Sequence, residues 1–297
     1  MTKALTTRQF FAKFPNDEAC LAHLFEVRFG QSFPCPNPKC GRETKWYRIK
    51  AERAFSCQFC GHHLHPTVGT PFEGSRTSLQ SWFYAIHLFT TTRHGVSGKE
   101  LQRQLGVTYK TAWRMANEIR KHMGNVDGDG ELGGAGVFVE IDETIVGGYQ
   151  SHADRDADGT NKTIVLGMLE RGGELVTEVV SSQRRASLLP HIADHVDRDS
   201  IVHTDENAAY SPLNSMGYTH FTVNHSLEQY VGPRGETVNS VESFWRHLKK
   251  SIEGTHTSVS GKHLGTYAKE FEFRFNRRAR PASMLADLLS VFPQSGE

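Results

Sequence analysis

Residues 137–148 read VFVEIDETIVGG. Val137, Val139 and Ile141 alternate with Phe138, Glu140 and Asp142, the period of two that marks a β-strand. The run ends in glycines, with Asp142 close to that end. An acid at the end of a largely apolar strand is costly to bury unless it meets a cation or a hydrogen-bond donor. Taken alone, Asp142 reads first as a carboxylate facing water at a strand end. A second stretch, Ile201-Val202-His203-Thr204-Asp205, is again a short strand-like run ending in an acid. Further on, residues 237–252 have the periodicity of a helix. Val241, Phe244, Trp245 and Leu248 supply its packing face, and Asn239 and Glu242, three apart, share another. Two strands ending in Asp and a helix bearing Glu242 form a three-acid constellation.

The elements around these acids predict an α/β domain over 137–297. Residues 163–169 and 174–180 are apolar runs separated by Arg171-Gly172-Gly173, the pattern of a hairpin. A helix is expected at 188–196, strands at 201–204 and 218–223, and a last helix at 262–275. Three antiparallel strands followed by alternating helix and strand is the order of a ribonuclease H-like domain.

Upstream, residues 124–136 (GNVDGDGELGGAG) are rich in glycine and acid without periodicity, and read as a linker. Before it, residues 76–123 hold an aromatic-rich core helix at 79–89 and then VSGKELQRQLGVTYKTAWR at 96–114. Ser97 can cap a short helix ending at Gly106, and Thr108 a second running to about Met123. That is a helix-turn-helix pattern. Its second helix would offer Tyr109, Lys110 and Arg114 to a DNA groove while Ala112, Met115 and Ile119 pack inward. An ordinary helical hairpin is the alternative.

Residues 31–75 carry Cys35-Pro-Asn-Pro-Lys-Cys40, sixteen further residues, and Cys57-Gln-Phe-Cys60. Two close cysteine pairs flanking short strand-like runs can converge four thiolates on one structural Zn²⁺, the plan of a zinc ribbon. His62, His63 and His65 could substitute as ligands, although four cysteines already complete the shell. Residues 1–30 look helical, with Asp17 as a candidate cap and Cys20 as a small buried residue.

Composition sets outer bounds. The chain of 297 residues has a net charge of +1 and no apolar run near the roughly 18 residues of a membrane span. The N-terminus lacks the apolar core of a signal peptide, so a cytoplasmic protein with no membrane partner is expected. Positive charge is clustered: seven Lys and Arg against two acids over 93–121, and nine against three over 243–280. Arg274, Arg277 and Arg278 lie in the second cluster. They are candidate phosphate contacts, or else a solvated helix face.

Clustered carboxylates suit phosphodiester chemistry, which needs an activated attacking oxygen and a stabilised leaving oxygen. Two Mg²⁺ (or Mn²⁺) ions about 4 Å apart supply both. Asp142 is the natural bridging ligand and Asp205 binds one ion. Asn239 or Glu242 presents an oxygen to the second, and Lys249, two turns beyond Glu242, could steer a phosphate. Tyr210 reads as packing rather than as a nucleophile. His225 reads as a contact to DNA or to the metal site, or else as a structural hydrogen bond. His152, Asp154, Asp156 and Asp158 have the look of a metal loop but read first as a solvated acidic loop.

At these residues the chain resembles a family. Asp142-Glu143-Thr-Ile-Val-Gly-Gly, His203-Thr204-Asp205-Glu-Asn-Ala-Ala-Tyr210, Val223-Asn224-His225-Ser226 and Thr237-Val-Asn239-Ser-Val-Glu242-Ser-Phe-Trp245 are similar to a bacterial insertion-sequence transposase of the zinc-ribbon DDE type with an ISXO-like catalytic domain. Glu253-Gly-Thr-His256 and residues 270–278 extend the likeness, which covers about residues 17–280. The resemblance implies binding of double-stranded DNA, both element ends and target. It also implies metal-dependent strand cleavage and transfer, and a homo-oligomer on DNA. The third acidic position of this group is assigned variously to Asn or Glu; the chain has both, with Glu242 favoured because Lys249 follows two turns later. The first cysteine pair is wider than the C-x2-C usual in such ribbons. A non-catalytic DNA-binding regulator or a domesticated transposase is the alternative from another class, and a stand-alone nuclease a third.

Overall fold

Two helices open the chain, α1 (Thr7–Lys13) and α2 (Asp17–Phe29), each started by a side-chain cap. Thr6 and Gln9 form a reciprocal capping box on α1. Asn16, one residue before the expected Asp17, caps α2 by accepting from the Ala19 amide at 3.0 Å. The ribbon follows as two small antiparallel sheets. β1 (Phe33–Pro34) pairs with β2 (Glu43–Thr44), and β3 (Trp46–Ile49), β4 (Ala54–Cys57) and β5 (His63–Leu64) form a three-stranded meander. Helices α3 (Leu79–Thr91), α4 (Gly98–Leu105) and α5 (Tyr109–Asp127) come next. The computed structural model describes residues 4–147, 162–223 and 237–292. Of the residues singled out in the sequence, His152, Asp154, Asp156, Asp158 and His225 lie outside them.

The chain divides into two units. One comprises Met1–Thr92, Val96–His122 and Arg280–Glu297, the other Arg93–Gly95 and Met123–Ala279. In the first, Phe10, Leu24, Trp82, Phe83, Ile86 and Phe89 are fully buried, so aromatic packing supplies much of its core.

The second unit is a mixed α/β layer structure around a five-stranded sheet. Its strands are β6 (Phe138–Val146), β7 (Thr163–Glu170), β8 (Leu175–Val180), β9 (Ile201–Thr204) and β10 (Thr219–Thr222), in spatial order β10-β9-β6-β7-β8. The first three pair antiparallel in sequence; β9 lies parallel to β6, and β10 parallel to β9. Helix α6 (Arg185–His195) joins β8 to β9, and α7 (Asn239–Ser251) and α8 (Gly261–Asn276) follow the sheet. Apolar cores form on both faces. One packs Val139, Ile141 and Val202 with Leu188 and Ile192 of α6. The other packs Val165 and Leu169 with Val241, Trp245 and Leu248 of α7 and with Leu264 and Phe271 of α8.

Two segments differ from the sequence expectation. Helix α5 continues to Asp127, into the stretch read as linker, and Leu132 beyond it is buried and bridges to Val196. The chain there is anchored by main-chain hydrogen bonds between Leu132 and the end of α6 (2.7 Å to His195). A final helix, α9 (Met284–Ser290), belongs to the first unit, where the Leu288 carbonyl accepts from His122 Nε2 at 2.9 Å.

Candidate functional site

Parallel pairing puts the two strand acids side by side. The β6–β9 register aligns Phe138 with Ile201, Val139 with Val202 and Glu140 with His203. The pairing ends there and Asp205 follows the last residue of β9, close enough for its carboxylate to act on that of Asp142. Alternation turns Glu140 and Asp142 to the face covered by α7, and Ile141 to the α6 face. Glu242 stands in the first turn of α7 and Asn239 begins it; both are half-buried. Lys249 is in the last turn of the same helix.

The docking of α7 has two causes that sequence reading did not reach. The first is Glu140, with 0% exposure. Its carboxylate accepts from the Ser240 amide (2.8 Å), the Ser240 hydroxyl (3.1 Å) and the Val241 amide (3.3 Å). Val238, at the N-cap position, offers no side-chain cap. The strand acid therefore satisfies the unpaired amides at the positive end of the helix. Arg171 reaches Glu140 at 3.3 Å and His203 Nδ1 at 3.1 Å, and lies over the Phe138 ring. The Thr237 amide also donates to His203 Nδ1 (3.2 Å), so the approach to α7 is pinned as well as its start.

The second cause is Gly167, the cross-strand partner of Asp142. A Cβ there would stand 2.5 Å from Trp245 Cζ2 and 3.1 Å from Val241 Cγ2. The missing side chain lets the indole lie on the sheet, where its Nε1 donates to Asp142 Oδ2 at 2.9 Å. Gly167→Ala is expected to push α7 off the strand. By the cost of overpacking this destabilises the unit by about 1–3 kcal/mol. Urea denaturation followed by tryptophan fluorescence checks it, and an unchanged midpoint would contradict the packing described.

On the other face, Glu143 organises the loop after β9. It accepts from Asn207 Nδ2 (2.8 Å) and Gln183 Nε2 (3.0 Å), and from the Tyr210 hydroxyl. Asn207 in turn donates its amide to Asp205 Oδ1 (3.1 Å). Asp205 is thus tied through Asn207 to the residue next to Asp142. Tyr210 is buried, and burial with the neighbouring Glu143 carboxylate keeps its hydroxyl protonated.

Electrostatically the site is overloaded with negative charge. Burial first, then the Glu143 and Asp205 carboxylates, push Asp142 up to about 7; the Trp245 hydrogen bond opposes this and Glu242 adds to it. Asp142, Asp205 and Glu242 offer hard oxygens, the chemistry that holds Mg²⁺, but their carboxylates are not all gathered within 4.8 Å of one another as the ribbon cysteines are. The cysteine site is soft and closed. The sulfurs of Cys35, Cys40, Cys57 and Cys60 all lie within 4.8 Å of one another, with Cys35 and Cys60 at 3.6 Å. A tetrahedron of Zn–S bonds about 2.3 Å long has edges of roughly 3.8 Å, so these four could hold zinc. The wide first pair still converges because the Cys40 amide closes a turn onto the Asn37 carbonyl (2.8 Å). Gly41 (φ 58°) and Gly61 (φ 70°), each following a pair, take the left-handed turn that leads the chain away.

Among the predicted DNA contacts, Tyr109, Lys110 and Arg114 are exposed on α5, while Ala112, Met115 and Ile119 are buried. Arg114 donates to Ser75 Oγ (3.1 Å) and lies over the Trp82 ring. Trp113, one turn from Tyr109, is also exposed and was not singled out; the i, i+4 spacing of two aromatics was its signal. The three candidate arginines of α8 and its end part company. Arg277 is buried against Asp127 and the Phe273 ring, and Arg274 pairs with Glu270 at 3.0 Å. Arg278 is exposed, its guanidinium over the Phe275 ring.

The sequence profile of the ISXO2-like transposase domain matches residues 131–276, and that of a transposase zinc-ribbon domain matches residues 15–63. A transposase-like protein of Haemophilus influenzae is 34% identical over 103 residues, covering 35% of this chain and 81% of that protein. The chain belongs to the ISXO2-like transposase family. A protein of the transposable element ISH50 of Halobacterium salinarum is 26% identical over 271 residues, covering 84% of the chain and 88% of its relative. Among solved structures, the Mos1 strand transfer complex is similar at 10% identity and a TM-score of 0.23, over 71% of this chain and 79% of that one. Both family matches fall on motifs already described. The transposase domain spans the acid-bearing sheet with α7 and α8, and the zinc-ribbon match takes in all four cysteines.

Proposed function

We propose that this transposase-family chain binds the ends of its insertion sequence and carries out DNA strand cleavage and strand transfer at Asp142, Asp205 and Glu242. The strand order with a parallel β9 beside β6 supports reading the sheet as a ribonuclease H-like scaffold. The observation that carries the proposal is the adjacency of Asp142 and Asp205, roofed by the helix that bears Glu242, with the Asp142 carboxyl pushed up to about 7. A purely DNA-binding protein gains nothing from a half-buried acid cluster that costs folding stability.

In this reading Asp142 and Asp205 hold the cations from the sheet, and Glu242, rather than Asn239, completes the set from α7. Bound Mg²⁺ or Mn²⁺ would activate the attacking oxygen and neutralise charge on the leaving one. Glu140 and Gly167 keep Glu242 seated, and the Asn207–Glu143 link orients Asp205. Lys249 steers a phosphate. Tyr109, Lys110 and Arg114 contact the element ends as part of a DNA-binding helix-turn-helix, with Trp113 as an added contact. Arg278 is the arginine left to meet backbone phosphate, since Arg274 and Arg277 hold internal acids. The protein works as a homo-oligomer on double-stranded DNA, in the cytoplasm at the nucleoid.

Proton and cation compete for the Asp142 carboxylate, which sets a pH dependence. Below about 7 the folded protein keeps Asp142 protonated; above it the ionised form is available to a cation. Mg²⁺ is therefore expected to raise the melting temperature more at pH 8 than at pH 6, in a chelator-treated sample scanned at both. An equal increment at the two pH values would count against Asp142 as a ligand.

The function itself is tested by incubating the full chain, with Mg²⁺, on labelled duplex carrying the DNA that flanks this gene plus a plasmid target. Joined products with junctions at the element ends are expected. End binding without a metal-dependent product would identify a regulator, and cleavage without end preference or joining a nuclease.

A further inference from the structure

The ribbon carries a second group of ligating side chains that the cysteine site does not use. β5 pairs antiparallel with β4, placing His63 opposite Ser56 and Leu64 opposite Phe55. His65 follows directly on β5, two residues past His63, and the two rings lie on the same side, 6.4 Å apart. Glu52 approaches them from the turn between β3 and β4. That turn is held from within: the Glu52 amide donates to the Ile49 carbonyl (3.3 Å), and Arg48 donates to the carbonyls of Ile49, Glu52 and Ala54. Arg48 is itself paired with Glu18 at 2.8 Å, so its charge is balanced away from the Glu52 carboxylate.

One ligand atom from each of Glu52, His63 and His65 lies within 4.8 Å of the others, and His63 Nδ1 is 3.9 Å from Glu52 Oε2. Among the described residues, none of the three side chains makes a hydrogen bond. The His63 and His65 rings meet edge to face, so both imidazoles stand on the side that Glu52 approaches. Ligands around a tetrahedral Zn²⁺ with bonds of about 2.0–2.1 Å stand roughly 3.4 Å apart. Exposed side chains close that gap of about an ångström by rotation alone.

We propose that Glu52, His63 and His65 form a second transition-metal site on the ribbon, separate from the four cysteines. Two imidazoles and one carboxylate suit Zn²⁺, with Co²⁺ and Ni²⁺ as substitutes, and not Mg²⁺. With three protein ligands the fourth position is open and held by water, whereas the cysteine set is closed. The site carries one net negative charge when both imidazoles are neutral, which favours a dication.

The test counts metal. Full-length protein and the His63→Ala/His65→Ala variant are stripped, reloaded with Zn²⁺, freed of excess ion and analysed for zinc per chain. The three residues are exposed, and circular dichroism verifies that the variant is folded. The variant is expected to hold one zinc fewer than the parent. In a parallel Co²⁺ titration, the equivalent that disappears should be one lacking thiolate-to-metal charge-transfer absorption. Equal zinc content in parent and variant, or loss of the thiolate-bound equivalent instead, would overturn the proposal.

Discussion

Asp142→Asn is expected to yield a more stable protein that no longer joins DNA. In the folded protein, burial and the Glu143 and Asp205 carboxylates raise the Asp142 carboxyl from 3.8 to about 7. The folded state thus holds this proton more tightly than the unfolded chain does. The associated stability is fully present below pH 3.8 and is lost as pH rises to about 7, so at pH 8 the metal-free protein bears the whole penalty. A neutral amide removes it and still accepts the Trp245 indole N–H. Each pKa unit is worth about 1.4 kcal/mol; after allowance for solvent at the half-buried site, a gain of about 1–3 kcal/mol remains. For a unit of this size that is a rise of roughly 3–10 °C in melting temperature. If Asp142 holds a cation as proposed, the same change removes that ligand, and strand transfer should fall on the order of 10³-fold, since such charge stabilisation is worth several kcal/mol. Thermal scans at pH 8 with chelator and single-turnover joining assays read the two effects. A melting temperature lower than that of the parent would contradict the electrostatic account; undiminished joining would contradict the assignment of Asp142.

Glu140→Ala should do the reverse, losing stability first and activity with it. Glu140 is fully buried and holds the Ser240 and Val241 amides, the Ser240 hydroxyl and Arg171. Its removal takes one partner from Arg171, which keeps His203 and the Phe138 ring, and leaves the start of α7 uncapped. Losing the hydrogen bonds of a buried carboxylate and leaving helix amides without an acceptor costs on the order of 3–5 kcal/mol in sum, against a total stability of roughly 5–15 kcal/mol for a domain. A fall of about 10 °C in melting temperature follows for this unit. Glu140→Gln keeps an acceptor for the helix amides and should recover part of the loss. Equal melting temperatures for parent and Glu140→Ala would show that the helix is seated by something else.

What could be read from the sequence is what alternates locally. The strand at 201–204 has the same limits in the structure, because four residues of strand pattern ending in an acid leave little freedom of register. The acids Asp142 and Asp205 stood out for the same reason. Glu140 did not, although it shares their pattern. As the polar member of an alternating pair it looks like a solvent-facing residue, and it is buried only because α7 arrives about a hundred residues later. Gly167 gave no signal either: its role is the space it leaves for Trp245, far along the chain. The linker reading was partial because low periodicity at 124–136 says nothing of tertiary anchors. Asp127, at its start, takes Arg277 and Asn276 from the end of α8. Composition alone likewise could not separate Arg277, internally paired, from the exposed Arg278.

The central claim is that Asp142, Asp205 and Glu242 hold the cations that drive DNA joining, and the most direct measurement is a strand-transfer assay with Asp205→Ala beside the parent protein. Both are used at concentrations that saturate the same end-bearing duplex in a gel-shift experiment, with Mg²⁺ present. The parent is expected to give joined products and the variant none, with end binding unchanged. Joining by Asp205→Ala at the parental rate would contradict the claim.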